Sequence, residues 1–261
     1  MKCSLIIPAH DHQDLLNASL STIACQRDEL LEVIVVDDGS DPSLHLPDWV
    51  TPVRINRPHA NRGSSAAKNL GAKYASGDWL CFADADILHL PDAFRSLKDC
   101  AREWTNDGVD AILLNVWRVS LAKGYPNRDV DHILTVCRTA DLLQDEAMET
   151  AGCYYEQNCG MLPTAAFRAL DGYDESTFKS WGLNNQDMAL RVIASGGRVS
   201  SAIPRATVPD TRLYCFHMWH EAERDEMARA TEFISKWGEP FHQSLVDKVQ
   251  AITNAKQCQA V

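Results

Sequence analysis

Short apolar runs alternate with amphipathic stretches along the first half of the chain. The apolar runs predict β-strands over residues 5–7, 33–36, 54–56, 79–83 and 111–114. Stretches with apolar residues on one helical face predict helices over residues 14–25, 61–77 and 91–104. Strand–helix alternation of this kind is typical of an α/β fold, with a mostly parallel central sheet and helices on both faces.

The second half of the chain has a less regular pattern. Its clearest elements are a helix over residues 185–195 and a helical region from about residue 221. The chain has no internal repeat, low-complexity tract or linker-like segment, so we predict a single domain over residues 1–261.

Composition narrows the possible partners and the compartment. The formal net charge is −11, which argues against nucleic acid as the main partner, because phosphate backbones need a basic surface. The nine cysteines show no Cys-x-x-Cys spacing, so we expect free thiols in a reducing compartment. No apolar run approaches the roughly 18 residues that cross a bilayer. We therefore expect a cytoplasmic protein without a membrane span.

Polar residues follow several predicted strands at their carboxyl ends, where parallel sheets bind ligands. Pro8 and Ala9 end the first strand, and Asp37 and Asp38 follow the second. Far downstream, an apolar run over residues 214–216 leads into His217-Met218-Trp219-His220. These positions are the candidates for chemistry.

Asp84 and Asp86 follow the strand over residues 79–83, with one small residue between them. If this segment is extended, both carboxylates point to the same face, and a cation would relieve their repulsion. Oxygen ligands suit Mg²⁺ or Mn²⁺, and an added imidazole favours Mn²⁺. Such an ion would bind the oxygens of a diphosphate.

Two further features suit a nucleotide ligand. A carboxylate of Asp37 or Asp38 could accept a hydrogen bond from a nucleobase N–H. Lys68 lies near the start of the helix predicted over residues 61–77, whose N-terminus attracts anions.

Four segments in fixed order carry a resemblance to a known family. They are Ser-Leu-Ile-Ile-Pro-Ala, Val-Ile-Val-Val-Asp-Asp-Gly-Ser, Asn-Arg-Gly-Ser-Ser-Ala-Ala-Lys-Asn-Leu-Gly and Ala-Ser-Gly-Asp-Trp-Leu-Cys-Phe-Ala-Asp-Ala-Asp. Together they resemble the nucleotide-binding half of family 2 glycosyltransferases, which have the Rossmann-like GT-A fold. The resemblance implies a nucleotide-binding half over residues 1–115 and an acceptor-binding half with C-terminal helices over residues 116–261.

The same resemblance assigns roles to the strand-end residues. Nucleotide-sugar-binding positions would be Pro8, Ala9, Asp37, Asp38, Lys68, Asp84 and Asp86. The first four of these would line the base and ribose site. Asp84 and Asp86 would form the metal motif of the family, with Asp86 coordinating the ion directly.

The segment from Trp181-Gly182 to Asp187 resembles the acceptor side of these enzymes, whose usual form is Trp-Gly-Gly-Glu-Asp-x-Asp. This chain has Asn184-Asn185 in place of the Glu-Asp pair. Many inverting members use the Asp of that pair as general base, and an amide cannot serve as one. Three explanations are open: Asp187 is the base, the site is inactive, or the enzyme retains configuration near Asn185. Polypeptide N-acetylgalactosaminyltransferases retain configuration and also have Asn at that position.

The segment over residues 217–220 resembles the Phe-His-x-Trp-His segment of galactosyltransferase-like members, where a histidine completes the metal shell. His220 falls on the position of that histidine, with His217 as the reserve. Trp181 and Gly182 would contact the acceptor.

The sequence thus predicts a transferase that moves a sugar from a nucleotide diphosphate sugar, UDP-linked by default, to a hydroxyl acceptor. We expect it to use Mn²⁺ or Mg²⁺ and to act in polysaccharide or glycoconjugate synthesis. The alternatives are a degenerate sugar-nucleotide-binding or scaffold protein and, on weaker grounds, a sugar-phosphate nucleotidyltransferase.

Overall fold

The computed structural model describes residues 1–55, 63–105, 112–115, 117–120, 132, 159–179, 182–201, 214–218, 226–240 and 243. Ten strands and six α-helices lie in these ranges, with a short 3-10 helix at Arg27–Glu29. The strands are β1 Cys3–Ala9, β2 Glu32–Asp37, β3 Thr51–Arg54, β4 Trp79–Ala83, β5 Ile87–His89, β6 Ile112–Asn115, β7 Trp117–Ser120, β8 Cys159–Pro163, β9 Arg198–Ser201 and β10 Tyr214–His217. The helices are α1 Gln13–Ala24, α2 Gly63–Tyr74, α3 Ala93–Thr105, α4 Thr164–Ala169, α5 Asn184–Ala194 and α6 Glu226–Trp237.

Seven strands form the main sheet in the order β3-β2-β1-β4-β8-β6-β9. Strand β1 pairs in parallel with β2 and β4, and β2 pairs in parallel with β3. Among the seven described strands of the main sheet, only β8 runs antiparallel to its neighbours, which are β4 and β6. The carboxyl ends of β1, β2 and β4 therefore lie at one edge of the sheet. This arrangement confirms the α/β fold expected from the sequence.

A second, three-stranded sheet has the order β5-β10-β7. Strand β10 runs antiparallel to β5 and pairs His217 with Ile87. Strand β5 follows β4 after a turn at residues 85–86. This register brings the end of β10 close to the end of β4.

Both faces of the main sheet are buried, which explains the uninterrupted apolar runs. Alternate residues of β1 enter different cores: Leu5 and Ile7 pack on one face, and Ile6 packs on the other. Helices α1 and α3 supply residues to the first core, and α2 and α5 supply residues to the second. The helices thus cover the sheet from both sides.

The structure corrects several details of the sequence interpretation. The extended geometry expected for Asp84 and Asp86 is wrong: β4 ends at Ala83, and the chain turns at residues 85–86 to reach the second sheet. The third strand occupies Thr51–Arg54 rather than residues 54–56. Strand β8 was not predicted, because its sequence Cys-Gly-Met-Leu-Pro lacks the β-branched residues that mark a strand.

Two expectations drawn from composition can be compared with the described residues. The six cysteines described by the structure are all free thiols. None of the described helices has the length and apolar character needed to cross a membrane.

Gly71 lets α2 approach the sheet closely, and this gives a test of the packing. A Cβ atom there would lie 2.4 Å from Ile6 Cγ2 and 3.0 Å from Val36 Cγ2. Gly71→Ala should therefore lower the free energy of unfolding by about 1–3 kcal/mol through overpacking. Urea denaturation measures the change. Lys73→Ala, on the exposed side of the same helix, should stay within about 0.5 kcal/mol of wild type. Equal stability of the two variants would contradict this packing.

Candidate functional site

The candidate site lies where β1, β2 and β4 end. Ala9 pairs with Asp37 across the end of the β1–β2 ladder, and Ile6 pairs with Phe82 across the β1–β4 ladder. The structure therefore brings most of the predicted residues to one edge of the sheet. The burial and the hydrogen-bond partners of these residues differ from one to the next, and the sequence did not predict those differences.

Asp37 organises the loop that follows β2. Its buried carboxylate accepts hydrogen bonds from the backbone N–H groups of Ser40 at 2.8 Å and Leu44 at 3.2 Å, and it pairs with Arg54. Burial by itself would raise the pKa of Asp37, but the hydrogen bonds and the Arg54 guanidinium outweigh it and lower that pKa. These donors hold the carboxylate in place, and the base-binding role predicted for Asp37 stays a prediction.

Three of the residues that flank Asp37 at this edge of the sheet are buried. Asp38 is 1% exposed, and its backbone N–H donates to the carbonyl oxygen of Ala9 at 2.8 Å. Pro8 and Ala9 are buried in the last two positions of β1. His10 is more exposed, and its Nδ1 lies 2.9 Å from the Asp38 carbonyl oxygen. The roles predicted for Pro8, Ala9 and Asp38 in binding base and ribose stay predictions.

Asp86 and His217 form a close pair beyond the end of β4. Nε2 of His217 lies 2.9 Å from Oδ2 of Asp86. The backbone N–H of Met218 donates to the Asp86 carbonyl oxygen at 2.9 Å, which fixes the end of β10 against this turn. The imidazole beside the aspartates is therefore His217, the residue held in reserve, while His220 lies outside the described residues.

These donors fit a divalent cation in their chemistry. A carboxylate beside an imidazole suits Mn²⁺, and Asp84 lies two residues from Asp86 in the same turn region. Within the described ranges no cluster of three or more His, Cys, Asp or Glu side chains has metal-binding geometry. Oxygens of a bound diphosphate would supply further ligands, as they do for Mg²⁺ in phosphate-transfer sites.

Lys68 is the buried cation of the site. It is 1% exposed, and its Nζ donates to Oδ1 of Asn185 at 2.9 Å. The ammonium also lies 5.1 Å from the ring centroid of Tyr173, within the range of a cation–π contact. Burial lowers the pKa of Lys68, and the Asp84 carboxylate raises it in part. The lysine therefore joins α2, the turn after β4 and the start of α5.

The two asparagines that replace the family's Glu-Asp pair both contact α2. Nδ2 of the buried Asn184 donates to the hydroxyls of Ser64 at 2.9 Å and Ser65 at 3.1 Å. Asn185 accepts from Lys68. These side chains hold the first turn of α5 against the first turns of α2, beside the strand ends.

Asp187 is fully buried beneath side chains that are themselves partly exposed. Its carboxylate contacts Nε of Arg191 at 2.9 Å, Nζ of Lys236 at 2.9 Å and Nε1 of Trp237 at 3.0 Å. A general base must come within hydrogen-bonding reach of the acceptor hydroxyl. With 0% exposure and three donors in place, Asp187 is held by the protein in this structure, and its predicted role as general base stays a prediction.

The predicted acceptor contacts are only partly described. Gly182 is half-buried and has φ 113°, which allows the chain to turn into α5. Trp181 lies outside the described residues, as does Trp219. The sequence interpretation missed Arg54, Lys236 and Trp237, since none of them belongs to a recognisable motif.

Comparison with known proteins identifies the class. The model of the family described as Glycosyl transferase family 2 matches residues 4–154, which is more than half of the chain. The chain belongs to that family of glycosyltransferases.

Individual relatives match parts of the chain. An uncharacterized glycosyltransferase of Haemophilus influenzae is 32% identical over 90 residues, which cover 34% of this chain and 31% of that protein. A Caenorhabditis elegans protein named probable N-acetylgalactosaminyltransferase 7 is 26% identical over 220 residues, covering 75% of this chain and 36% of the relative. The chain thus spans about a third of the length of these curated relatives.

A solved structure supports the fold. The crystal structure of S. aureus TarS 1-349 in complex with UDP-GlcNAc superposes with a TM-score of 0.57 at 17% identity. The match covers 94% of this chain and 70% of that one. This confirms the GT-A fold expected from the sequence.

The lowered pKa of Asp37 predicts a pH dependence of stability. A carboxylate whose pKa is depressed by folding stabilises the native state above its unfolded value of 3.8, and this contribution is lost as pH falls through the folded value. Asp37→Asn should therefore lower the free energy of unfolding at neutral pH and flatten its decline between about pH 5 and pH 3. Denaturant titrations across this range measure both effects. Asp48 is exposed, so Asp48→Asn should keep the wild-type dependence of the free energy of unfolding on pH. If Asp37→Asn also keeps that dependence, the stabilising role assigned to the Asp37 carboxylate is wrong.

The burial of Asp187 predicts that its removal acts on stability. Asp187→Asn removes the charge that pairs with Arg191 and Lys236, and it should cost about 1–3 kcal/mol because Lys236 keeps Asp174 and Arg191 keeps the Leu170 carbonyl oxygen. Thermal and urea unfolding measure this loss. A variant with unchanged stability and abolished turnover would contradict the structural role and restore Asp187 as the general base.

Proposed function

We propose that this chain transfers a sugar from a UDP-sugar to a hydroxyl acceptor with the help of a divalent cation. The observation that carries the proposal is the convergence of two groups at one sheet edge. One is the Asp86–His217 pair, and the other is the buried Lys68 with its partners Asn185 and Asp84. Carboxylates, an imidazole and a buried ammonium suit a metal-bound diphosphate.

Asp86 and His217 are the residues that would hold the cation, together with Asp84. Mn²⁺ or Mg²⁺ bound there would neutralise the charge that develops on the departing diphosphate. The register of β10 against β5 supports this assignment, because it places His217 beside the residue that follows Asp86.

Lys68 and the start of α2 suit the phosphate groups. Helix α2 begins at Gly63 and is 12 residues long, so its free N–H groups and dipole favour an anion at that end. The Lys68 ammonium lies in a buried, weakly screened environment, where its attraction for a phosphate oxygen is stronger than in water. Charge on the leaving diphosphate would be stabilised there.

The donor is proposed to be a UDP-N-acetylhexosamine. The name of the C. elegans relative and the UDP-GlcNAc of the TarS complex both point to this class. The acceptor would be a hydroxyl of a glycan or other glycoconjugate, as the resemblance to family 2 enzymes implies.

The fate of the acceptor proton follows from the buried position of Asp187. Neither that carboxylate nor the Asn185 amide is available to take the proton. We propose that the acceptor oxygen bonds to C1 of the sugar as the bond from C1 to the diphosphate oxygen breaks. The proton then passes to that departing phosphate oxygen. Attack from the leaving-group side retains the anomeric configuration.

Turnover with defined donors tests the function. The purified chain is incubated with Mn²⁺, UDP-GlcNAc or UDP-GalNAc, and candidate acceptors, and UDP release is measured with and without EDTA. We expect release that EDTA abolishes. Asp86→Asn should lower the rate by about a hundredfold or more, because it removes several kcal/mol of charge stabilisation. Asp78 is an exposed carboxylate just before the start of β4, so Asp78→Asn should keep the wild-type rate.

The anomeric proton coupling in the product's NMR spectrum reports the stereochemistry of the transfer. An inverted product would contradict the proposed proton route.

Other outcomes identify the alternatives. Binding of UDP-sugar with no turnover under any condition would indicate a scaffold or sugar-nucleotide-binding protein. Pyrophosphate formation from a nucleoside triphosphate and a sugar phosphate would indicate a nucleotidyltransferase. UDP release that persists unchanged in EDTA would remove the cation from the mechanism.

A further inference from the structure

Lys236, in the last turn of α6, bridges two carboxylates from different parts of the chain. Its Nζ lies 2.8 Å from Oδ2 of Asp174 and 2.9 Å from Oδ1 of Asp187. The same ammonium lies 5.7 Å from the ring centroid of Phe178. The Asp187 carboxylate at this contact is fully buried, so solvent screens the pair less than it screens two exposed side chains.

The bridge is reinforced on both sides. Nε1 of Trp237, the next residue, also donates to Oδ1 of Asp187 at 3.0 Å. Burial would raise the pKa of Asp174, but hydrogen bonds from Lys236, Ser176 and Thr177 outweigh this and lower that pKa well below its usual range. Asp174 is therefore a charged partner for Lys236 near neutral pH.

A short path of contacts leads from Lys236 to the candidate site. Asp187 and Asn185 lie in the first turn of α5, and Asn185 accepts the hydrogen bond from the Lys68 ammonium at 2.9 Å. A second path runs through the segment around Asp174, because the ring of Tyr173, one residue earlier, lies 5.1 Å from the same ammonium. Both carboxylates held by Lys236 thus belong to segments that contact Lys68.

We propose that Lys236 is a positioning residue for donor binding: by holding Asp174 and Asp187 together it sets the place of Asn185 and Tyr173, and through them that of the Lys68 ammonium. The inference rests on the proposed function, because it takes Lys68 to be a ligand of the donor's diphosphate. It assigns a role in the site to α6, a helix with no recognisable family motif.

A loss of positioning differs measurably from a loss of folding. Irreversible loss of folded protein lowers the apparent kcat and leaves the KM for the donor unchanged. Reversible unfolding raises the apparent KM by the inverse of the folded fraction, so each variant is assayed at a temperature at which it is fully folded. Under that condition a displaced Lys68 still raises the KM for the UDP-sugar, because its contact with the diphosphate is weaker, whereas loss of a merely stabilising lysine leaves this KM unchanged.

The test compares four variants in the turnover assay, with the folded state of each checked by thermal unfolding. Lys236→Met should raise the KM for UDP-GlcNAc or UDP-GalNAc by about tenfold, the range expected for residues that act through a contact network. Lys236→Arg should return it to within about threefold of wild type, because arginine can also pair with two carboxylates. Lys73 is an exposed lysine that lines a surface cavity together with Lys236, and Lys73→Met should leave the KM unchanged. If Lys236→Met does not fold, Asp174→Asn removes one of the two bridged charges and should raise the KM about threefold.

The outcomes separate the two proposals. A wild-type chain that neither binds UDP in calorimetry nor releases it from a UDP-sugar would overturn the proposed function and this inference together. A wild-type chain that turns over, with folded Lys236→Met or Asp174→Asn at the wild-type donor KM, would overturn the inference alone. A tenfold rise that Lys236→Arg fails to reverse would also contradict the bridging role.

Discussion

A buried ammonium ion is the constraint around which the candidate site is arranged. Lys68 is 1% exposed, and a charge in that position is costly unless polar groups surround it. Asn185, Asp84 and the face of Tyr173 meet this need. Because these partners come from α5, from the turn after β4 and from the segment before α5, satisfying one charge fixes the relative places of all three.

The two sheets supply the rest of the geometry. The parallel pairing of β1 with β2 and β4 collects the strand ends on one side, and the register of β10 with β5 carries His217 to Asp86. The Asp37 carboxylate holds the loop after β2 by accepting from the backbone N–H groups of Ser40 and Leu44.

Much of the first half was predictable from the sequence, because long apolar runs and helical periodicity are local signals. The strand at Trp79–Ala83 and the position of Lys68 on a helix follow from such signals. Three features depend on tertiary contacts and could not be predicted. Strand β8 lies antiparallel inside the sheet without a β-branched sequence, Asp84 and Asp86 flank a turn that changes sheets, and Asp187 is buried by Lys236 and Trp237 from a helix without a motif. The sequence offered Asp187 as one of three explanations for the fate of the acceptor proton, and only the structure shows its contacts with Lys236 and Trp237.

We propose that a divalent cation joins the aspartates after β4 to the diphosphate of a bound nucleotide. A crystal grown with Mn²⁺ and UDP, with diffraction data collected for the anomalous signal of manganese, tests this arrangement. We expect an anomalous peak in contact with the Asp86 carboxylate and with both phosphates, and the Lys68 ammonium beside the diphosphate. A bound nucleotide with no peak near Asp84 or Asp86, or a peak at a place remote from both, would contradict it.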